Sequence, residues 1–129
     1  MKLLVKLFFS IIILASFSSA KADTIKWLHL FSDDDLNMPG MLQAVKEFEE
    51  KTGHTVEMQY LENESFKAKL PTMLQSNDRP DIFYSWSGGV MYDQAEAGFL
   101  RDISNLVPDS YLDTVSAAAA DAFTYNGQR

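Results

Sequence analysis

An α/β fold with a parallel-rich sheet flanked by helices is the class this chain predicts, and three observations carry the prediction. Runs of strand-forming residues recur at 24–31, 56–60 and 80–86. Between them, apolar residues repeat every three or four positions, the period of a helix with one buried face. Strand, helix, strand at this spacing is a βαβ unit, whose right-handed crossover makes the two strands parallel neighbours.

The first segment to account for is an address. Lys2 and Lys6 precede an almost unbroken apolar run at 7–17, and Ser18-Ser19-Ala20-Lys21-Ala22 closes it with small residues of Ala-x-Ala form. That is the pattern of a cleavable secretory signal peptide, with cleavage expected after Ala22. The run of about eleven apolar residues is too short for a membrane anchor, which needs roughly twenty. The mature part, 23–129, is therefore expected to be exported to the periplasm with no direct membrane insertion after signal cleavage.

Residues 24–31 read Thr-Ile-Lys-Trp-Leu-His-Leu-Phe, a first strand that becomes apolar toward its end apart from His29. His29 is expected as a satisfied core residue. Ser32-Asp33-Asp34-Asp35 breaks the strand, and Pro39 suits the first turn of a helix. Met38, Met41, Leu42, Val45 and Phe48 form its apolar stripe over about fourteen residues, and Gly53 is its left-handed cap. Val56, Met58 and Tyr60 alternate with Glu57 and Gln59, a half-buried second strand nearer a sheet edge than the first.

After the loop at 61–63, Phe66, Leu70, Met73 and Leu74 give a second amphipathic helix, which Pro71 is expected to kink. Asp-Arg-Pro at 78–80 then turns the chain into a buried third strand, Pro80-Asp81-Ile82-Phe83-Tyr84-Ser85-Trp86, which breaks abruptly at Ser87-Gly88-Gly89. A short helix from Val90 ends at Gly98, and Phe99 and Leu100 return to the core. Residues 110–123 read as one alanine-rich helix with Leu112, Val115, Ala119 and Phe123 on one face. Asn126-Gly127 is a two-residue hairpin turn signal two residues before the end, so 23–129 is expected as the front part of a longer protein.

Composition excludes several classes. The formal charge of −7 becomes more negative without Lys2, Lys6 and Lys21, and such a surface repels nucleic-acid backbones and anionic lipid. Cysteine is absent, which removes disulfides, thiolate metal sites and cysteine nucleophiles. No metal or cofactor site is expected.

In an open α/β sheet, ligands sit beyond the carboxyl ends of the strands. Trp86, flanked there by Ser85 and Ser87, offers a flat aromatic platform for the apolar face of a sugar ring. Asp33, Asp34, Asp35, Glu62 and Asn63 lie in the loops after the first two strands and offer polar partners for hydroxyls. Each has a local alternative. Trp86 can cap the core, Asp35 or Asn37 can cap the first helix, Asn63 the second, and Glu62 can be solvated loop charge. Carboxylates crowding these loops favour a neutral polyol over an anion, with a cationic ligand second.

Phe-Glu-Glu-Lys-Thr-Gly-His at 48–54, Arg-Pro-Asp-Ile-Phe-Tyr-Ser-Trp at 79–86 and Ala-Gly-Phe-Leu-Arg-Asp-Ile at 97–103 resemble the extracellular solute-binding proteins of family 1. The resemblance covers essentially all of the mature chain. It implies a periplasmic-binding-protein-like lobe, here the first of two and incomplete before the hinge and second lobe. It also implies a non-catalytic sugar- or oligosaccharide-binding role, partnered by the membrane permease of an ABC importer. The alternatives are a truncated product without a function of its own and a secreted hydrolase; for the latter, Ser85-Trp86-Ser87 lacks the Gly-x-Ser-x-Gly spacing of a nucleophile elbow.

Overall fold

The computed structural model describes residues 22–129. The expected signal peptide falls almost wholly outside them. Three parallel strands, β1 (Thr24–His29), β2 (Thr55–Tyr60) and β3 (Ile82–Phe83), form one sheet in the order β2-β1-β3. Five helices join and follow them: α1 (Met38–Thr52), α2 (Asn63–Leu74), α3 (Gly89–Glu96), α4 (Asp109–Leu112) and α5 (Ala117–Ala122). The parallel βαβ unit and the edge position of β2 are as the sequence predicts.

β1 is the central strand because it alone offers both edges to neighbours. Thr24 to His29 pair in register with Thr55 to Tyr60, and Trp27 and Leu28 pair with Ile82 and Phe83. Leu28 points to one face, where α2 supplies Phe66, Leu70 and Leu74, and these four make the buried cluster. Their spacing on α2 is the i, i+4, i+8 stripe of the sequence, so the helix exists where its apolar face can be covered. Burying each such side chain is worth about 1.5–3 kcal/mol. α1 begins with Pro39 in its first turn and ends at Gly53, whose φ of 75° is the left-handed cap geometry. Its Glu49 carboxylate accepts the Val56 backbone N–H at 2.7 Å, tying the helix to β2.

The structure corrects several sequence expectations. β1 leaves the ladder at His29, two residues early, although Leu30 still packs on the core. β3 is two residues long and sits at an edge, with Ile82 48% exposed, rather than a buried strand spanning 80–86. The Lys26 carbonyl accepts the Asp81 N–H and the Leu28 carbonyl accepts the Tyr84 N–H, so this stretch is held to β1 beyond its paired residues. α2 is capped by Glu62, not Asn63: the Glu62 carboxylate accepts the backbone N–H groups of Glu64 and Ser65. Asn37 is the N-cap residue of α1, yet its side chain makes no capping bond.

The single helix expected at 110–123 is two short ones. β-Branched Thr114 and Val115 lose rotamer freedom in a helix, and Ser116 starts α5 afresh by accepting the Ala119 N–H with its hydroxyl. At Asn126-Gly127 the hairpin turn forms. Both residues have positive φ, 51° and 78°, the two-residue turn that matches strand twist. Tyr125 and Gln128 exchange two backbone hydrogen bonds of 2.9 Å across it.

Candidate functional site

Parallel pairing sends the three strands the same way, so their carboxyl ends emerge on one side of the sheet. His29 lies opposite Tyr60, and Leu28 opposite Phe83. A row of aromatic contacts links the residues at and just beyond these ends. The His29 ring faces Phe31 and Tyr60, each at 6.3 Å between centroids. Phe31 meets Tyr84 edge to face at 5.6 Å, Tyr84 meets Trp86 at 5.4 Å, and Trp86 meets Phe66 at 5.7 Å. Offset and edge-to-face pairs of this kind add about 0.5–1.5 kcal/mol each beyond the area they bury. The row therefore locks the three strand ends into one surface, the position where open α/β sheets take ligands.

Trp86 stands at the end of this row, half-buried, with its core side against Phe66 and Tyr84. It covers the core and remains partly exposed. The Lys67 ammonium lies over its ring, 5.7 Å from the centroid.

The polar candidates separate into engaged and free groups. Ser85 donates its hydroxyl to Gln94 Oε1 at 2.7 Å, binding the strand end to buried Gln94 of α3. Asp34 accepts the Ser32 hydroxyl, a bond that holds its carboxyl below the usual range. Asp35 accepts both the backbone and side-chain N–H of Asn37, at 2.8 and 2.9 Å, and so shapes the approach to α1. Glu62 caps α2, and the Asn63 side chain donates to Glu64. Asp33 and Ser87 are exposed, and among the described residues neither side chain has a hydrogen-bond or ion-pair partner.

His29, expected to be satisfied, is 3% exposed, and its Nδ1 has no hydrogen-bond partner among the described residues. Burial pushes its pKa below the ordinary value, against the opposing pull of the Phe31 backbone and the Asp33 charge.

Sequence reasoning missed Lys67, Tyr84 and Gln94 as parts of this surface. Lys67 follows Phe66 directly and reads as the solvent face of α2, while Gln94 reaches Ser85 from the next helix. Only alternation along 82–86 could have flagged Tyr84. Among the described residues no group of three His, Asp or Glu side chains could hold a metal ion. The larger concavities lie elsewhere. One of about 320 Å³ is lined by Ile103, Tyr111, Val115 and Phe123, and one of about 240 Å³ runs between α2 and α3 past Leu70, Pro71 and Phe99.

Three solved structures share the fold. One comes from work on xylan utilization by Caldanaerobius polysaccharolyticus, with a TM-score of 0.69 and 24% identity, covering 81% of this chain and 27% of that one. The maltotriose binding protein of Thermus thermophilus, bound with maltotriose, gives a TM-score of 0.65 at 22% identity over 81% and 27%. An ABC substrate-binding protein from Listeria monocytogenes in complex with cycloalternan gives 0.64 at 25% identity over 84% and 28%. The chain thus spans little more than a quarter of these proteins. A search of curated proteins returns no match. The family model for bacterial extracellular solute-binding proteins matches residues 35–128, most of the described α/β lobe, and the chain belongs to that family.

Proposed function

We propose that this chain is the first-lobe part of an exported binding protein that captures a neutral sugar or oligosaccharide and, in the intact protein, delivers it to the permease of an ABC importer. The observation that carries the reading is the shared carboxyl-end surface, where half-buried Trp86 stands beside loops that leave Asp33 and Ser87 unpartnered. A sugar needs an aromatic face for its C–H side and planar acceptors for its hydroxyls, and this surface offers both. Family membership and the carbohydrate ligands of the Thermus and Listeria neighbours support the substrate class. The role is binding rather than catalysis.

In this reading residues 1–22 direct export to the periplasm and are removed, and 23–129 form one wall of a site whose other wall belongs to a second lobe. One wall ordered alone makes only part of the contacts, so its affinity is weak. Of the candidates, Trp86 is the platform and Asp33 and Ser87 are the direct polar contacts. Ser85, Asp34 and Asp35 hold the loops that present them, and Glu62 and Asn63 order the start of α2.

Intrinsic fluorescence in a Trp27→Phe background, where Trp86 is the sole indole, tests this reading. Titration with a panel of neutral oligosaccharides is expected to change the emission saturably for at least one of them. No change with any sugar, in a chain that remains folded, would refute it.

A further inference from the structure

We infer that Lys67 is a built-in cover for the sugar platform and sets which ligands gain access to it. The inference rests on the sugar reading of Trp86. The indole is fixed from the core side by fully buried Phe66 and by Tyr84, both nearly perpendicular to it. The ammonium of Lys67 comes over the ring from α2, 5.7 Å from its centroid, on a side chain that is half exposed. An ammonium over an indole is attracted by the ring's negative face, so the cover is a favourable state of the free protein.

The lysine is also aimed. Glu64, one turn earlier on α2, holds the ammonium at 2.9 Å, and the Asn63 side chain holds the same Glu64 oxygen at 3.0 Å. Glu62 fixes this turn by capping it. The loop after β2 thereby acts on the platform indirectly, by positioning the lysine that competes for it. A neutral sugar stacking on the covered face must displace the ammonium from the ring and leave it to Glu64 and water alone. Exposed cation–π contacts amount to about 0.5–1 kcal/mol, which corresponds to roughly a two- to five-fold penalty on stacking.

The test uses the Trp27→Phe chain with Lys67→Ala, Lys67→Arg and Glu64→Gln added singly. Acrylamide quenching of Trp86 reads the cover without any ligand. Lys67→Ala is expected to raise the quenching constant, and Lys67→Arg to lower it because guanidinium stacks better on an indole. Glu64→Gln, which loosens the aim of the ammonium, is expected to shift the constant in the same direction as Lys67→Ala and by less. In the oligosaccharide titration, Lys67→Ala is expected to tighten binding about two- to five-fold. Unchanged quenching in Lys67→Ala overturns the inference. Weakened sugar binding in that variant also overturns it, because the lysine would then be a ligand contact. Raised quenching with no sugar response in any variant upholds the cover and overturns the sugar reading instead.

Discussion

Phe31 and Tyr84 meet edge to face, with ring centroids 5.6 Å apart and ring planes at 85°. Phe31 lies just past β1 and Tyr84 just past β3, so the contact joins two strand ends that the short β3 ladder holds with only two residue pairs. A double-mutant cycle with Phe31→Ala and Tyr84→Ala, read by urea unfolding, is expected to give a coupling of about 1 kcal/mol. A coupling near zero would mean that the ladder alone fixes β3.

Phe66 is fully buried and touches both the Leu28 cluster and the Trp86 ring. Phe66→Ala is expected to cost about 3–5 kcal/mol of stability, the range for removing a buried phenyl ring. Because the buried cluster has four members among the described residues, that loss should abolish cooperative unfolding monitored by circular dichroism. A full-amplitude transition with an unshifted midpoint would show that α2 is not the centre of the core.

Glu62→Ala removes the acceptor for two backbone N–H groups at the start of α2. The expected cost is about 1 kcal/mol of stability, and Glu62→Asn is expected to restore part of it. The urea midpoint checks the capping role. An unchanged midpoint in Glu62→Ala would return this side chain to the free polar groups at the strand ends.

His29 gives the chain an acid sensitivity whose sign is set by its burial. Its folded pKa lies below the ordinary 6.5, so as pH falls the unfolded chain takes up the proton first. Stability from this residue is complete above the unfolded value and is lost as pH falls from there toward the folded value. Asp34 and Asp102 are also depressed, but their contribution is lost only as pH falls below 3.8, a lower window. Urea midpoints at about pH 8 and about pH 5.5 therefore isolate the histidine. The wild-type midpoint is expected to drop between them, and His29→Phe, which keeps an aromatic ring among Phe31 and Tyr60, is expected to lessen the drop.

Long-period features were legible in the sequence. The stripe of Phe66, Leu70 and Leu74, the Gly53 cap and the Asn126-Gly127 turn each depend on a few neighbours in the chain, and each forms as expected. What failed depends on partners distant in sequence or on close competition. Asn63 ranks above Glu62 as a capping residue, yet the longer Glu62 side chain reaches the free N–H groups. Alanine propensity argued for one helix through 110–123, and Thr114, Val115 and the Ser116 cap divided it. At the candidate site, Trp86 could be found from the strand that ends beside it. The division of its polar neighbours could not, because Ser85 turns to Gln94 and the aspartates differ only in local turn bonds.

The most direct test of the shared strand-end surface is a 1H–15N chemical-shift map of the chain with a neutral oligosaccharide, a measurement sensitive to weak binding. The account predicts perturbations at the Trp86 indole N–H and at the backbone amides of Asp33 and Ser87, with the groove around Tyr111 and Phe123 unaffected. Shifts confined to that groove, with the Trp86 indole unmoved, would contradict it.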